Sequence, residues 1–257
     1  MSAADPGWIR PDWPVSGRVR ALITTRPGGV SNGPWGVPPT GTGGMNLGFR
    51  SGDAPDAVRA NRARLRSALP SEPRWLHQVH GPAVVRADDV AGPLEADASF
   101  TVTPGVVPVV MVADCMPVLL ADVGGRCVGV AHAGWRGVAS GVIQATVRAM
   151  RSALGDRAAE LVAYLGPAIG PAHFEVGHDV LQAMSATLPD ATGAFRPQGD
   201  KYLADLFALG RQALQEVGVT GVHGGSECTY SAPERFYSFR RERVTGRHAA
   251  LVWIEPA

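Results

Sequence analysis

The chain has 257 residues, of which 45% are hydrophobic and 18% charged, so it can bury a large core in one large domain or two small ones. Its 24 basic residues nearly balance its 23 acidic residues, which gives no electrostatic reason to expect nucleic acid or an anionic membrane as a partner. No apolar run approaches the roughly 18 residues of a membrane span. The first residues do not resemble a secretory signal, and the 3 cysteines do not form a disulfide framework, so we expect a reduced, cytoplasmic protein.

The first half of the chain predicts short strands that are separated by turns and by one helix. Alternating β-branched residues predict a strand at 18–26, and the apolar spacing predicts a helix at 56–69. The glycine-rich interval 28–44 is long for a loop in a compact domain, so we expect it to be mobile or functional. The other predictions in this half are a short strand that runs into a turn at 74–81, strands at 83–88 and 106–114, and a helix start or turn at 96–105.

The second half predicts a hairpin, three helices and closing strands. Two apolar runs, 117–122 and 126–132, flank a Val-Gly-Gly turn and predict the hairpin. The other predictions are helices at 140–154, 178–188 and 201–218, and strands at 161–169, 236–242 and 248–255. Strands and helices mix without strict βαβ alternation, so the pattern predicts a layered α/β or α+β fold with a mixed sheet. We assign all of 1–257 to a single domain, without a Rossmann or P-loop nucleotide motif.

Three residues indicate a site. Cys115 and His132 stand at the ends of the two hairpin strands, and glycine follows His80 and lies two residues after His132. One thiolate and two imidazoles are good zinc ligands, and three protein ligands leave an open position, as in catalytic zinc sites. The three residues therefore predict a catalytic zinc site, against the simpler alternative of a buried cysteine beside a core histidine.

Two other chemistries use the same residues. Cys115 and His132 can form a nucleophile and base pair, with Asp114 or Asp97 orienting the base. Copper also binds two histidines and one cysteine, with a weak axial methionine. Met116 adjoins Cys115, but neighbouring strand residues point to opposite faces, so we do not expect Met116 to reach the same metal.

Polar residues beside glycine turns are candidates for binding an anionic or polar substrate. Arg26 precedes Pro-Gly-Gly, Arg136 lies in GWRG before a predicted helix, and Arg240 lies on a predicted strand. Arginine clamps phosphate and carboxylate, and a helix start favours an anion. Asn46 follows a glycine run and is either a substrate contact or a turn residue.

The short motifs along the chain, taken together, resemble those of the laccase-domain, or polyphenol oxidase-like, family, which includes bacterial purine nucleoside phosphorylases. The resemblance follows the chain in order over nearly its whole length. It is carried by TTRPGGVS (24–31), MNLGFRSGD (45–53), LHQVHG (76–81), ADCMPVLLAD (113–122), AHAGWRG (131–137), CTY (228–230) and the tail at 236–254.

The resemblance implies an α/β/β/α layered fold and zinc held by His80, Cys115 and His132. It implies phosphorolysis of adenosine, inosine, guanosine and methylthioadenosine, with deamination of adenosine as a second activity. The partners are then a purine nucleoside and phosphate, and we expect a monomer or weak homo-oligomer. The alternatives are a Cys-His hydrolase or amidase that edits a peptidoglycan precursor and a copper-dependent polyphenol oxidase. In the phosphorylase, Arg26, Arg136 and Arg240 hold phosphate, and Asp97 and Asp114 are candidates to stabilise the sugar cation.

Overall fold

The computed structural model describes residues 7–157 and 159–256, which form thirteen strands and six α-helices. The strands are β1 (Val19–Ile23), β2 (Pro27–Ser31), β3 (Val84–Arg86), β4 (Ala98–Thr101), β5 (Val109–Val112), β6 (Met116–Asp122), β7 (Val128–Ala133), β8 (Leu161–Leu165), β9 (Glu175–Val176), β10 (Phe195–Gln198), β11 (Lys201–Ala204), β12 (Gly221–Gly224) and β13 (His248–Ile254). The helices are α1 (Pro55–Arg66), α2 (Trp135–Ala139), α3 (Val142–Leu154), α4 (His178–Ser185), α5 (Leu206–Glu216) and α6 (Phe239–Glu242). None of the helices in these two ranges has the length and apolar character that would span a membrane.

Two sheets form the centre of the molecule. The larger has the order β12-β8-β6-β7-β4-β3, and the smaller, β1-β13-β5, packs on one of its faces. Helices α2 to α5 cover the other face of the larger sheet, and α1 covers the outer face of the smaller one. The predicted α/β/β/α layering is confirmed.

The alternation of side chains on β13 explains this layering. Ala250 and Val252 point into the core between the two sheets, whereas Leu251 and Trp253 point into the core beneath α1. A strand with both faces buried reads as a continuous apolar run, and every residue of β13 is buried.

The predicted hairpin forms as β6 and β7, and it lies at the centre of the larger sheet. Pro117 pairs with His132, and β6 is buried throughout. Met116 points into the core formed with the helices, where its methyl group lies against Gly210. Val128 and Val130 point into the core between the sheets, so His132, two residues further along β7, emerges on that face at the strand end.

Two predictions near the site are wrong. Residues 98–101 form strand β4, not a helix start, because they pair with both β7 and β3. Residues 74–81 make only isolated bridges, at Arg74 and His77, because three successive N–H groups of this segment bond a side chain instead of a strand. We call residues 76–81 the His80 loop.

Two later predictions are also wrong. The predicted helix at 201–218 is strand β11 followed by α5, and the boundary is Asp205, whose carboxylate accepts the Ala208 N–H and caps the helix. The predicted strand at 236–242 does not form: residues 236–238 are irregular, and the rest is the short helix α6, capped by Ser238, whose hydroxyl accepts the Arg241 N–H.

The glycine-rich interval after Arg26 is built into the fold. It contains β2, and the Asn61 side chain fastens it to α1 by accepting the Val30 N–H and donating to the Gly44 carbonyl. Gly29 is required there, since a Cβ would lie 2.5 Å from the Asn61 Oδ1 atom.

Candidate metal centre and active-site cavity

The fold brings His80, Cys115 and His132 together. Their candidate ligand atoms all lie within 4.8 Å of one another, and this is the metal-binding group found among the described residues. His80 Nε2 lies 3.9 Å from Cys115 Sγ, and the two imidazole rings meet edge to face at 4.7 Å. His132 is buried, Cys115 half-buried and His80 exposed, so the group opens to solvent on one side.

Asp97 organises this group from behind. Its carboxylate lies 2.7 Å from His132 Nδ1, and it accepts the N–H groups of Val79, His80 and Gly81. The bond to Nδ1 fixes the tautomer of His132 and leaves Nε2 free to bind a metal, which is the usual role of a carboxylate behind a histidine ligand. Asp97 is itself fully buried and does not line the cavity, so we assign it positioning rather than contact with substrate.

The charges of the three groups are coupled. Burial opposes ionisation of Cys115, but the adjacent His132 and His80 outweigh it and lower the pKa of the thiol. Burial likewise opposes protonation of His132, but Cys115 and Asp97 raise its pKa. Without a metal, Cys115 therefore favours the thiolate, which is the form of cysteine that binds metals and attacks electrophiles.

The residues fit zinc. A thiolate and two imidazoles are ligands zinc prefers, the three leave one coordination position open, and the tautomer of one imidazole is fixed by a carboxylate. Copper fits less well, because Met116, the nearest candidate for a weak axial ligand, faces the helices, as the alternation along the strand predicted.

A cavity of about 510 Å³ opens beside the group. Cys115, His80 and His132 form part of its wall. Among the described residues, its lining contains no aspartate or glutamate, but it contains three arginines and a third imidazole: Arg50, Arg62, Arg247 and His77. A cavity with this lining attracts an anionic ligand.

Arg26 does not reach this cavity. It is 2% exposed, and its guanidinium donates to the carbonyls of Gly36 and Pro34 and pairs with Glu242 at 2.6 Å. It also donates to the Pro233 carbonyl. Arg26 therefore joins the glycine-rich interval to the tail of the chain and has no free donor directed at a phosphate.

The other predicted substrate contacts also lie outside the cavity lining. Arg136 is exposed and stacks on Trp135, and Arg240 donates to the Glu175 carbonyl. Asn46 is fully buried, and its Oδ1 accepts the N–H groups of Gly48 and Arg247. Asn46 therefore holds two segments of the cavity wall in register and makes no contact with the cavity itself.

Asp114 serves a similar structural purpose. Its backbone is in the left-handed region, with φ of 87°, directly before Cys115. Its carboxylate accepts the Thr229 hydroxyl and the Arg240 N–H, so it ties the Cys115 turn to the tail. The carboxylate does not line the cavity.

Sequence reasoning missed Arg247, the arginine of the TGR motif. One terminal nitrogen donates to the Thr245 and Gly246 carbonyls, whereas Nε and Nη2 have no hydrogen-bond partner among the described residues. Burial lowers its pKa, and the nearby Cys115 and Asp114 oppose this shift. The TGR motif within the family-like tail was the available signal.

The other two arginines of the cavity lining differ in whether their side chains already contact the rest of the protein. Arg62 is sandwiched between Trp75 at 3.7 Å and Phe49 at 4.5 Å and donates to the Leu47 carbonyl, so it is part of the wall. Burial lowers its pKa to about 10, although Glu72 opposes the shift. Arg50 is exposed and has no hydrogen bond or ion pair among the described residues.

His77 lies in the His80 loop and lines the same cavity. Its Nδ1 faces the Glu95 carboxylate at 3.7 Å. On a regular strand His77, three residues before His80, would point to the opposite face, but the His80 loop is not a regular strand, and both imidazoles line one cavity.

This fold and site define a class of protein. The sequence profile of the multi-copper polyphenol oxidoreductase laccase family matches residues 20–255, and the chain belongs to this family.

Individual relatives are similar along nearly their whole length. A purine nucleoside phosphorylase of Pseudomonas aeruginosa is 48% identical over 250 residues, which is 96% of this chain and 98% of that protein. The purine nucleoside phosphorylase YfiH of Escherichia coli is 47% identical over 249 residues, with the same coverage. The crystal structure of Neisseria meningitidis protein NMB0706 superposes with a TM-score of 0.88 at 43% identity, over 97% of this chain and 99% of that chain.

Proposed function

We propose that this protein is a zinc-dependent purine nucleoside phosphorylase that also deaminates adenosine and acts in the cytoplasm. The observation that carries the proposal is a His-Cys-His group on the wall of a cationic cavity. The phosphorylase names of relatives that are 46–48% identical support the same reaction class.

His80, Cys115 and His132 would hold the zinc ion. Bound zinc supplies Lewis acidity, which lowers the pKa of a bound water and polarises a substrate bond. Asp97 keeps His132 in the tautomer with Nε2 free, and it fixes the backbone on both sides of His80. These contacts preorganise the two histidine ligands before any ion binds.

We assign phosphate binding to Arg247 and Arg50 in place of Arg26, Arg136 and Arg240. Among residues 7–157 and 159–256, the Nε and Nη2 atoms of Arg247 and the guanidinium of Arg50 have no hydrogen-bond partner, so both side chains can donate to phosphate oxygens. No acidic side chain of the described cavity lining opposes a phosphate there.

Phosphorolysis joins a phosphate oxygen to C1′ of the sugar and breaks the bond from C1′ to the base. The base leaves with the electron pair of that bond and takes up a proton. His77 is the cavity imidazole outside the proposed ligand set, and Glu95 faces its Nδ1, so we assign His77 as the proton donor to the leaving base.

The test follows the products of adenosine. Purified zinc-loaded protein is incubated with adenosine, with and without phosphate, and adenine, inosine and hypoxanthine are separated by chromatography. We expect phosphate-dependent adenine and phosphate-independent inosine. Both should disappear in His132→Ala and persist in His178→Ala, which changes an exposed histidine at the start of α4. A zinc-loaded protein that forms neither product would contradict the proposal.

A second candidate function is a Cys-His hydrolase or amidase that acts on a peptidoglycan precursor. The observation in its favour is the series Cys115, His132 and Asp97, which has the order of a nucleophile, a base and an orienting carboxylate. Rapid stoichiometric alkylation of Cys115 in metal-free protein, together with amidase activity that zinc inhibits, would favour this candidate. Activity that requires zinc would exclude it.

A further inference from the structure

We propose that Gln78 is a positioning residue for the metal centre, acting through His80. Its side chain takes the place of a neighbouring strand and fixes the His80 loop to β5. This inference rests on the metal centre proposed above, and it concerns a residue that does not itself contact the metal.

The Gln78 amide pairs with one backbone residue through both of its polar atoms. Nε2 donates to the Met111 carbonyl, and Oε1 accepts the Met111 N–H, each at 2.8 Å. These are the two hydrogen bonds that a residue of an antiparallel strand would make. Met111 is available because its partner in β13, Ala249, directs its own N–H and C=O to Thr24 on the other side. Gln78 therefore completes the free edge of β5.

The second half of the His80 loop needs this attachment, because the contacts that fix its first half end at His77. Leu76 is buried in the core between the sheets, and the His77 backbone bonds residues 94 and 96. Val79 is 47% exposed, and His80 has φ of 63°, a left-handed conformation that non-glycine residues rarely adopt. Such a conformation persists only where the surroundings impose it. Asp97 imposes part of it by accepting the N–H groups of residues 79, 80 and 81.

The two attachments come from different sheets. Asp97 directly precedes β4 of the larger sheet, and His132 lies on β7 of the same sheet. Met111 belongs to β5 of the smaller sheet. Without Gln78, the residues that follow His77 are held by Asp97 alone, through N–H groups that share one carboxylate. Gln78 adds a second fixed point on the opposite sheet, so His80 is held across the opening between the sheets and faces Cys115.

The test measures metal affinity. Gln78→Leu removes both hydrogen bonds to Met111, and Gln78→Glu keeps the acceptor but sets a carboxylate oxygen against the Met111 carbonyl. Loss of a direct outer contact to a metal ligand typically weakens binding by about 10- to 100-fold, and because Gln78 acts on His80 only through the loop, we expect the lower end of that range, about tenfold, for Gln78→Leu. Gln144→Leu is the control, because the side chain of this glutamine is also hydrogen-bonded, to Glu216, but lies buried on α3, away from the His80 loop.

A double-mutant cycle distinguishes positioning through His80 from general loosening of the fold. Zinc affinity is measured by competition with a chromophoric chelator, and cobalt spectra report thiolate coordination and coordination number. Gln78→Leu should weaken binding in the wild-type background and add no further loss in the His80→Ala background. Thermal unfolding of Gln78→Leu and Gln144→Leu without metal measures the stability of each variant.

Four results would overturn the proposal. Equal losses in both backgrounds would show that Gln78 acts on the fold as a whole, and the same loss in Gln144→Leu would show the same. An unchanged zinc affinity in both Gln78 variants would show that Gln78 does not position His80. Failure of the wild-type protein to bind zinc or cobalt stoichiometrically would instead remove the metal centre itself, and the inference with it.

Discussion

The backbone at Gly134 shows how closely the candidate ligands are packed. A Cβ at this position would lie 2.7 Å from Cys115 Sγ and 3.3 Å from His80 Cδ2. Gly134 has φ of −69°, which any residue adopts, so the glycine is required for the space beside the thiol and not for its backbone freedom.

Gly134→Ala should therefore weaken metal binding without strain in its own backbone. We expect the affinity for zinc to fall by about tenfold or more, because the added methyl group displaces Cys115 or His80. Gly193→Ala, where a Cβ meets nothing within 4 Å, should leave the affinity unchanged. Chelator competition on both variants measures the difference, and equal affinities would contradict the expectation.

The structure assigns phosphate binding to Arg247, whereas the sequence had indicated Arg136. Substitution of each arginine tests which of them binds phosphate. Arg247→Met should raise the KM for phosphate by about 10- to 100-fold, the equivalent of a lost hydrogen bond to a charged group, without changing zinc affinity. Arg136→Met should leave that KM unchanged, because Arg136 lies outside the cavity lining. Steady-state kinetics at varied phosphate provide the test, and the opposite order of effects would restore the assignment to Arg136.

At the scale of the secondary-structure elements, the sequence predicts what local pattern determines. The β6–β7 hairpin and β13 were predictable because buried strands appear as apolar runs beside turn residues. Strand β4 was not, because Ala98–Thr101 is a strand through its pairing with β3 and β7, which is distant in sequence. The sequence predicts a helix that starts at Lys201 and Tyr202, which belong to β11, because the apolar pattern does not change at Asp205.

The same dependence on distant contacts explains which residues of the candidate site could be predicted from the sequence. Cys115, His132 and His80 were predictable because their residue types and the adjacent glycines identify ligand chemistry. The arginines were not, because the partners that occupy Arg26 include Pro233 and Glu242, more than 200 positions away. The sequence does not show which guanidinium is already bonded inside the protein and which is free.

The cap of α5 offers a direct test of a boundary that the sequence placed wrongly. Asp205→Ala removes the carboxylate that accepts the Ala208 N–H, and we expect it to lower the free energy of unfolding by about 1 kcal/mol. Asp190→Ala is the control, because Asp190 precedes a short 3₁₀ turn without a side-chain cap bond. Urea titration compares the two, and a larger loss in Asp190→Ala would contradict this assignment.

For the molecule as a whole, His248 links stability to pH. It is buried on β13, and its Nε2 accepts the Tyr237 N–H. Burial, with the charges of Arg26, Arg247 and Arg241, lowers its pKa to about 3. The folded protein therefore keeps this imidazole neutral at a pH where an unfolded chain, with a histidine pKa of about 6.5, binds a proton.

The sign of the effect follows from that difference. As pH falls below about 6.5, the unfolded state takes up a proton at this histidine that the folded state does not, so the contribution of His248 to the free energy of unfolding falls, by about 2 kcal/mol between pH 7 and pH 5. His248→Gln keeps an acceptor for the Tyr237 N–H and does not titrate, so its stability should fall less over this range. Urea titrations at both pH values measure the difference, and identical losses in the two proteins would contradict the assignment.

The three candidate ligands belong to three separate segments: a loop, the turn before β6 and the end of β7. Because an unfolded chain does not bring such segments together, an ion that binds the folded state adds to its stability by mass action, by about 4 kcal/mol at a concentration one thousand times the dissociation constant. The thermal midpoint of the protein should rise with free zinc and should be insensitive to it in His132→Ala. The supply of zinc would then determine what fraction of the protein is folded, as well as the activity of the protein.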